Sequence, residues 1–108
     1  MVTFKSAHGE EHEHIYGAVD KDGKMWGEGF TVQKDQAGCY TIKFEPNQFG
    51  AKPGVVASVY VDSITSVTNN LSVLVSEVSE SSFKCYTLDT TGCLDYAPFT
   101  FIAFGEKK

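Results

Sequence analysis

The three histidines of this chain lie in one short segment, HGEEHEH, which runs from His8 to His14. His12 and His14 are separated by one residue, so in an extended strand both imidazoles face the same side, about 6.5–7 Å apart along the chain. Imidazole binds transition metals, but two ligands from one chain make a weak site. Because the intervening glutamates are equally typical of a solvated terminus, the segment is open to both interpretations.

The other residues with reactive side chains do not form a recognisable catalytic motif. No Ser, Cys or Thr lies in a nucleophile motif, and pairing one with a histidine would require the HGEEHEH segment to fold back onto the body of the protein. The carboxylates are scattered among turn residues, where solvent leaves them unsuited to acid–base chemistry. The glycines also mark turns and form no phosphate-binding loop. We therefore predict that the protein is not an enzyme.

The composition indicates one small folded domain with an acidic balance of charge. The chain has 108 residues, of which 42% are hydrophobic and 13% aromatic, and its formal net charge is −5. All nine positive charges are lysines, so the chain has no guanidinium group to bind phosphate bidentately, and it has no basic patch. No apolar run approaches the roughly 20 residues that a membrane helix needs. We expect neither a nucleic-acid partner nor membrane insertion.

Three cysteines, Cys39, Cys85 and Cys93, cannot all pair within one chain. Their spacings match no zinc or redox motif. We interpret them as free thiols, and a bridge from Cys93 to Cys39 or to Cys85 is the less favoured alternative.

The hydrophobic pattern is that of β-strands throughout. CYTIKF places Tyr40, Ile42 and Phe44 on one face, a period of two that indicates a half-buried strand. Asp22-Gly23 is a hairpin signal, and no stretch repeats apolar residues at helical spacing. We predict an all-β fold, an antiparallel β-sandwich of six to seven strands. In this prediction residues 1–14 are a polar N-terminal lead and residues 15–106 are a single domain.

Two of the predicted strands, VVASVYV and FTFIAF, are apolar on both faces. A small sandwich buries only one face of each sheet, so the second apolar face requires another cover. Soluble monomers rarely expose large apolar patches, and another copy of the chain is the simplest cover. The pattern therefore predicts an oligomer.

The order of the strand motifs resembles a module found at the C-terminal end of phage tail-fibre proteins. The motifs are Gly-Phe-Thr-Val, Gly-x-Tyr-Thr-Ile-x-Phe, Pro-x-Val-Val, Phe-x-x-Tyr-Thr and Phe-x-Phe-Ile-Ala-x-Gly, between Gly27 and Gly105. The chain is also similar to the H-type lectins, small sandwiches that assemble as trimers and bind sugars. Most of the matching positions are core and turn residues, which specify a fold better than an activity. The resemblance implies a trimeric tip module with a glycan-binding or host-receptor role.

Carbohydrate binding uses aromatic rings against sugar C–H groups, together with short polar side chains. Trp26 follows a turn among glycines, where it is either a surface for a sugar or a plug at one end of the sandwich or at a subunit contact. The segments DSITSVTNN and LDTTGCLDYAP are polar loops of the kind that carries recognition, although their residues are also ordinary turn formers. The candidate carbohydrate-binding residues are Trp26, Tyr60, Asp62, Asn69, Asn70, Asp89, Asp95 and Tyr96.

A trimer of the kind that the resemblance implies would also complete the histidine site. Three copies of His12-Glu13-His14 offer six imidazole nitrogens, which suits Fe, Ni or Zn. His-x-His strands in the fibrous trimers of phage tails use this arrangement. We predict no required cofactor, with a transition metal ion held by His12 and His14 across the trimer as the candidate.

These observations predict a non-catalytic, homotrimeric carbohydrate-binding or receptor-binding module. Its expected partner is a cell-surface glycan or receptor. The alternative is a structural domain that trimerises and caps a fibre and has no ligand of its own. Because no signal-peptide pattern precedes the first charged residues, we expect a virion-associated or cytoplasmic protein.

Overall fold

The computed structural model describes residues 2–5, 11–60 and 71–108. Within these residues all the regular structure is β, and every strand pair is antiparallel. This confirms the predicted all-β antiparallel fold. The strands are β1 (Val2–Lys5), β2 (Glu11–Asp20), β3 (Gly23–Gly27), β4 (Phe30–Gln36), β5 (Cys39–Phe44), β6 (Gly54–Val59), β7 (Ser72–Ser76), β8 (Ser82–Leu88) and β9 (Phe99–Glu106).

The strands form two sheets that enclose the core. One sheet has the order β1-β2-β9-β6, and β3 also pairs with β2. The other has the order β4-β5-β8-β7. β1 and β3 pair with different parts of β2, the first with residues 11–14 and the second with residues 17–20. Both sheets contribute alternate residues to one hydrophobic cluster, as a β-sandwich requires.

Strands β1 and β3 are additional to the six to seven strands that the hydrophobic pattern predicts. β1 alternates as VTFK but has only four residues, too few to indicate a strand, and β3 contains two glycines and has no clear alternation of apolar side chains. Both form because β2 is ten residues long and offers its backbone along this whole edge. The predicted boundary between lead and domain, at residue 15, falls inside β2. Glu13 is buried there, with its Oε1 3.4 Å from the Thr3 hydroxyl that donates to it.

Aromatic rings dominate the core. Phe101 of β9 contacts Phe30 of β4 and Phe83 of β8, both in the opposite sheet, with ring centroids 4.9 and 5.1 Å apart. Both contacts are edge-to-face, the geometry that the quadrupoles of aromatic rings favour. The predicted alternation in β5 is confirmed, since Tyr40, Ile42 and Phe44 are all buried.

The outer face of the four-stranded sheet is polar. Gln33, Thr41 and Lys84 are successive neighbours across β4, β5 and β8. They surround the Asp35 carboxylate, which accepts hydrogen bonds from Thr41 Oγ1 at 2.6 Å and Gln33 Nε2 at 2.8 Å and lies 3.8 Å from Lys84 Nζ. The Thr41 bond, followed by the Gln33 bond, lowers the pKa of Asp35. Around Asp35 this face suits contact with water, although Leu74 on β7 is 54% exposed.

All three cysteines are free thiols, as predicted. Cys39 and Cys85 are buried and Cys93 is exposed. Burial raises the pKa of the Cys85 thiol to about 12, so this side chain packs as a small apolar group. Among the described residues, no helix is long and apolar enough to cross a membrane.

Replacing Phe83 with alanine tests the assignment of faces. Phe83 is fully buried, so Phe83→Ala should lower the free energy of unfolding by about 3–5 kcal/mol because it leaves a cavity. Leu74, on the neighbouring strand, is 54% exposed. Leu74→Ala should therefore change the free energy of unfolding by no more than about 0.5 kcal/mol. Urea denaturation measures both values, and similar losses for the two variants would contradict this assignment.

Candidate functional site

The outer face of the five-stranded sheet is apolar, in contrast to that of the other sheet. Strand β9 lies between β2 and β6, and the registers place outward side chains in rows across the three strands. Strands β6 and β9 correspond to the two segments predicted to be apolar on both faces, and they are therefore neighbours in one sheet. The rows are Trp26–Ala18–Thr100–Ser58, then Tyr16–Ile102–Val56, then His14–Phe104–Gly54.

Two aromatic side chains stand at one side of this face. Trp26 is 48% exposed and Tyr16 is 43% exposed, and their rings meet edge-on with centroids 6.4 Å apart and planes at 70°. Gly27, which has a φ of +119° and no Cβ, lets strand β3 lie close against β2. A Cβ at Gly27 would lie 2.6 Å from the Tyr16 carbonyl oxygen. Any other residue there would displace β3, and with it Trp26.

A shallow groove of about 330 Å³ runs beside these rings. Strand β6 contributes Val56 and Ser58, and strand β9 contributes Thr100 and Ile102. The Ser58 hydroxyl donates to the Val59 carbonyl at 3.4 Å and keeps its oxygen lone pairs available to accept hydrogen bonds. We call this surface the outer groove, defined by Tyr16, Trp26, Val56, Ser58, Thr100 and Ile102. It combines aromatic rings, aliphatic side chains and the hydroxyl groups of Tyr16, Ser58 and Thr100.

Asp89, a predicted binding residue, organises its own loop. Its Oδ1 accepts hydrogen bonds from Thr91 Oγ1 at 2.6 Å, Thr91 N at 2.8 Å and Cys93 N at 3.0 Å. The Thr91 hydroxyl bond is the largest cause of its lowered pKa, followed by the bond from Cys93 N. Gly92 closes the turn with a φ of +84°. Oδ1 is therefore occupied by the loop itself.

The other predicted binding residues that the structure describes near this loop lie on backbone that hydrogen bonds hold in place. Asp95 N donates to Thr87 O at 3.0 Å, and the buried Thr87 hydroxyl donates to Asp95 O at 2.5 Å. The side chains of Asp95 and Tyr96 are exposed. Tyr60 N donates to Pro98 O at 2.9 Å. Asp62, Asn69 and Asn70 lie outside the described residues.

The predicted residues that the structure describes thus divide between two places. Trp26 lines the outer groove, whereas Tyr60, Asp89, Asp95 and Tyr96 belong to the connections at the end of the sandwich where β6 and β8 finish and β9 begins. Sequence reasoning missed Tyr16 and the four groove residues of β6 and β9. Tyr16 shares its face of β2 with His12 and His14, so period-two alternation was the available signal.

His12 and His14 lie on one face of a strand, as their spacing predicts. Both are half-buried, and the His14 ring meets Phe104 edge-on at 6.5 Å between centroids. In the part of the chain that the structure describes, no three His, Cys, Asp or Glu side chains come together as a metal site would require. A metal site at these histidines would therefore need ligands from beyond the described residues of one chain.

No protein-family model matches the chain, and no curated protein does. Among solved structures, the chain is similar to the phiAB6 tailspike, whose crystal structure contains three-repeated oligosaccharides of Acinetobacter baumannii surface polysaccharide. The identity is 14% and the TM-score 0.56, over 98% of this chain and 23% of that chain. At this identity the likeness concerns the fold, so a tailspike contains a unit with this strand architecture. The chain spans less than a quarter of that protein's length.

The Asp89 loop gives a pH prediction. Because the folded-state pKa of Asp89 is lowered, its ionised carboxylate stabilises the loop above the ordinary value of 3.8, and this stabilisation is lost as pH falls through the folded-state pKa. Thr91→Val removes the hydroxyl donor and should raise the pKa of Asp89 toward 3.8. NMR titration of the carboxyl carbon measures the pKa of Asp89, and Thr90→Val is the control. An unchanged pKa in Thr91→Val would contradict the assigned cause.

Proposed function

We propose that this protein is a non-catalytic carbohydrate-binding module of a phage tail protein that recognises a cell-surface glycan as its receptor. The observation that carries the proposal is the exposed Trp26–Tyr16 pair beside the hydroxyl groups of Ser58 and Thr100. Aromatic faces pack against sugar C–H groups, and hydroxyl groups both donate and accept hydrogen bonds. The oligosaccharides bound in the structure of the similar tailspike support this class of function.

The loops at the end of the sandwich supply secondary contacts in this proposal. Asp95 and Tyr96 have exposed side chains, and Tyr60 leads directly into the segment that contains Asp62, Asn69 and Asn70. The Asp89 loop helps to fix the shape of this end. A glycan longer than the outer groove would extend toward Tyr60, Asp95 and Tyr96.

Trp26→Ala should weaken glycan binding at least about tenfold, because it removes the larger of the two exposed rings. A glycan array identifies the ligand, and calorimetry with the strongest hit measures the dissociation constants. Leu74→Ala is the control, since it removes an exposed apolar side chain from the other sheet. Unaltered affinity in Trp26→Ala would exclude the outer groove as the binding site. An array without any reproducible hit would exclude carbohydrate binding.

A second candidate function is structural. Apolar exposure continues past the outer groove to Phe104, which is 43% exposed, and Val56 is 57% exposed. A large apolar patch of this kind favours contact with another copy of the chain. In this proposal the chain forms a homotrimer through the part of the face around Phe104. His12 and His14 would then approach their counterparts and hold a Fe, Ni or Zn ion.

Mass measurement in solution tests the assembly. We expect a trimer, and Phe104→Ser should shift it toward monomer, whereas Leu74→Ser on the other sheet should not. A chelator, or the double variant His12→Ala with His14→Ala, should lower the melting temperature of the trimer if a metal is bound. A monomeric mass at every concentration would exclude the trimer. Elemental analysis that finds no metal in protein never exposed to a nickel column would exclude the metal.

A further inference from the structure

The side chains that line the outer groove carry no charge. Its first two rows contain only aromatic, aliphatic and hydroxyl side chains. Strand β6 has no charged residue, and the single charged residue of β9 is Glu106 at its last position. Glu106 follows Ile102 by four residues, roughly 13 Å along a strand, and its charge is negative.

The one cation of strand β3 is already engaged. Lys24 Nζ donates to the Phe30 carbonyl oxygen at 3.3 Å and lies 4.9 Å from the centroid of the Phe30 ring. This ammonium group is therefore held by a hydrogen bond and a cation–π contact. The chain contains no arginine, and its net charge is −5. A sugar bearing a carboxylate, sulfate or phosphate would lose hydration in the outer groove without gaining a cationic partner.

The outer groove is also short. Its volume of about 330 Å³ is near the lower end of the range for ligand sites, roughly 300–1,000 Å³. In the next row the Phe104 ring lies over Gly54, where an added Cβ would come within 2.8 Å of Phe104 Cζ. Phe104 therefore bounds the groove along the strand direction. The available space suits a short saccharide segment lying on Trp26 and Tyr16.

From these observations we infer that the outer groove selects uncharged saccharides over acidic ones. This inference rests on the proposed carbohydrate-binding function and names its ligand class. The apolar face of a sugar ring lies on Trp26 and Tyr16, and its hydroxyl edge faces Ser58 and Thr100. The rest of the sugar remains in contact with water at the open side.

The test is a glycan array in which each neutral oligosaccharide is printed beside its sialylated or glucuronylated form. Neutral forms should bind at least about tenfold more strongly than their acidic counterparts. Their binding should change little between about 50 mM and about 500 mM NaCl, since no ion pair forms. Stronger binding of the acidic forms, weakened by salt, would overturn this inference and leave carbohydrate binding intact. Absence of binding to every glycan would overturn the proposed function itself.

A charge placed in the outer groove gives a second readout. Ser58→Lys adds a cation beside Thr100, and it should improve binding of the acidic form of a glycan pair about tenfold relative to the neutral form. Thr31→Lys adds the same charge on an exposed position of the four-stranded sheet and should leave the ratio unchanged. Equal ratios in the two variants would show that the glycan binds outside the outer groove.

Discussion

Strand β9 pairs with β2 along one edge and with β6 along the other, and the geometry of the outer groove follows from these two registers. Alternate residues of β9 point in opposite directions, so Phe99, Phe101 and Ala103 enter the core while Thr100, Ile102 and Phe104 face outward. A shift of one residue in either pairing would exchange these two sets. The Phe30–Phe101–Phe83 contacts fix the register, since such a shift would remove the central ring from the core.

The two outer faces of the sandwich have different physical requirements. Around Asp35 the four-stranded sheet presents hydrogen-bonded polar groups and an ion pair, which water solvates readily. The five-stranded sheet presents Trp26, Tyr16, Val56 and Phe104, each 40% exposed or more. Burying such side chains releases free energy in proportion to their apolar area, so this face is the one that gains from a ligand or another subunit. The proposed glycan binding and the proposed trimerisation can share it, because the outer groove occupies the rows around Trp26 and Tyr16 whereas Phe104 and the histidines lie farther along the strands.

Much of the fold could be predicted from alternation alone. The inward set of β5 and the inward Phe83 and Cys85 of β8 follow directly from period two, and all of them are buried. Strand β3 could not be predicted in this way, because GKMWG has no alternation and is held by hydrogen bonds to β2 and by the close Gly17–Gly27 approach. Of the candidate binding residues, Trp26 lies in the outer groove, but Asp89 uses one carboxylate oxygen within its own turn. Residue type alone does not distinguish a carboxylate that binds a ligand from one that closes a loop.

The sequence by itself determined the class of fold, the absence of arginine and the presence of strands that are apolar on both sides, because each of these is a property of composition or of local period. It also determined that His12 and His14 share a face, since a strand places residues i and i+2 on one side. Only the tertiary structure decided that the strands with two apolar faces, β6 and β9, are adjacent. It also decided that Tyr16 contacts Trp26 and that Ser58 and Thr100 lie beside them. Those neighbours come from strands distant along the chain, and their register depends on how the aromatic core packs.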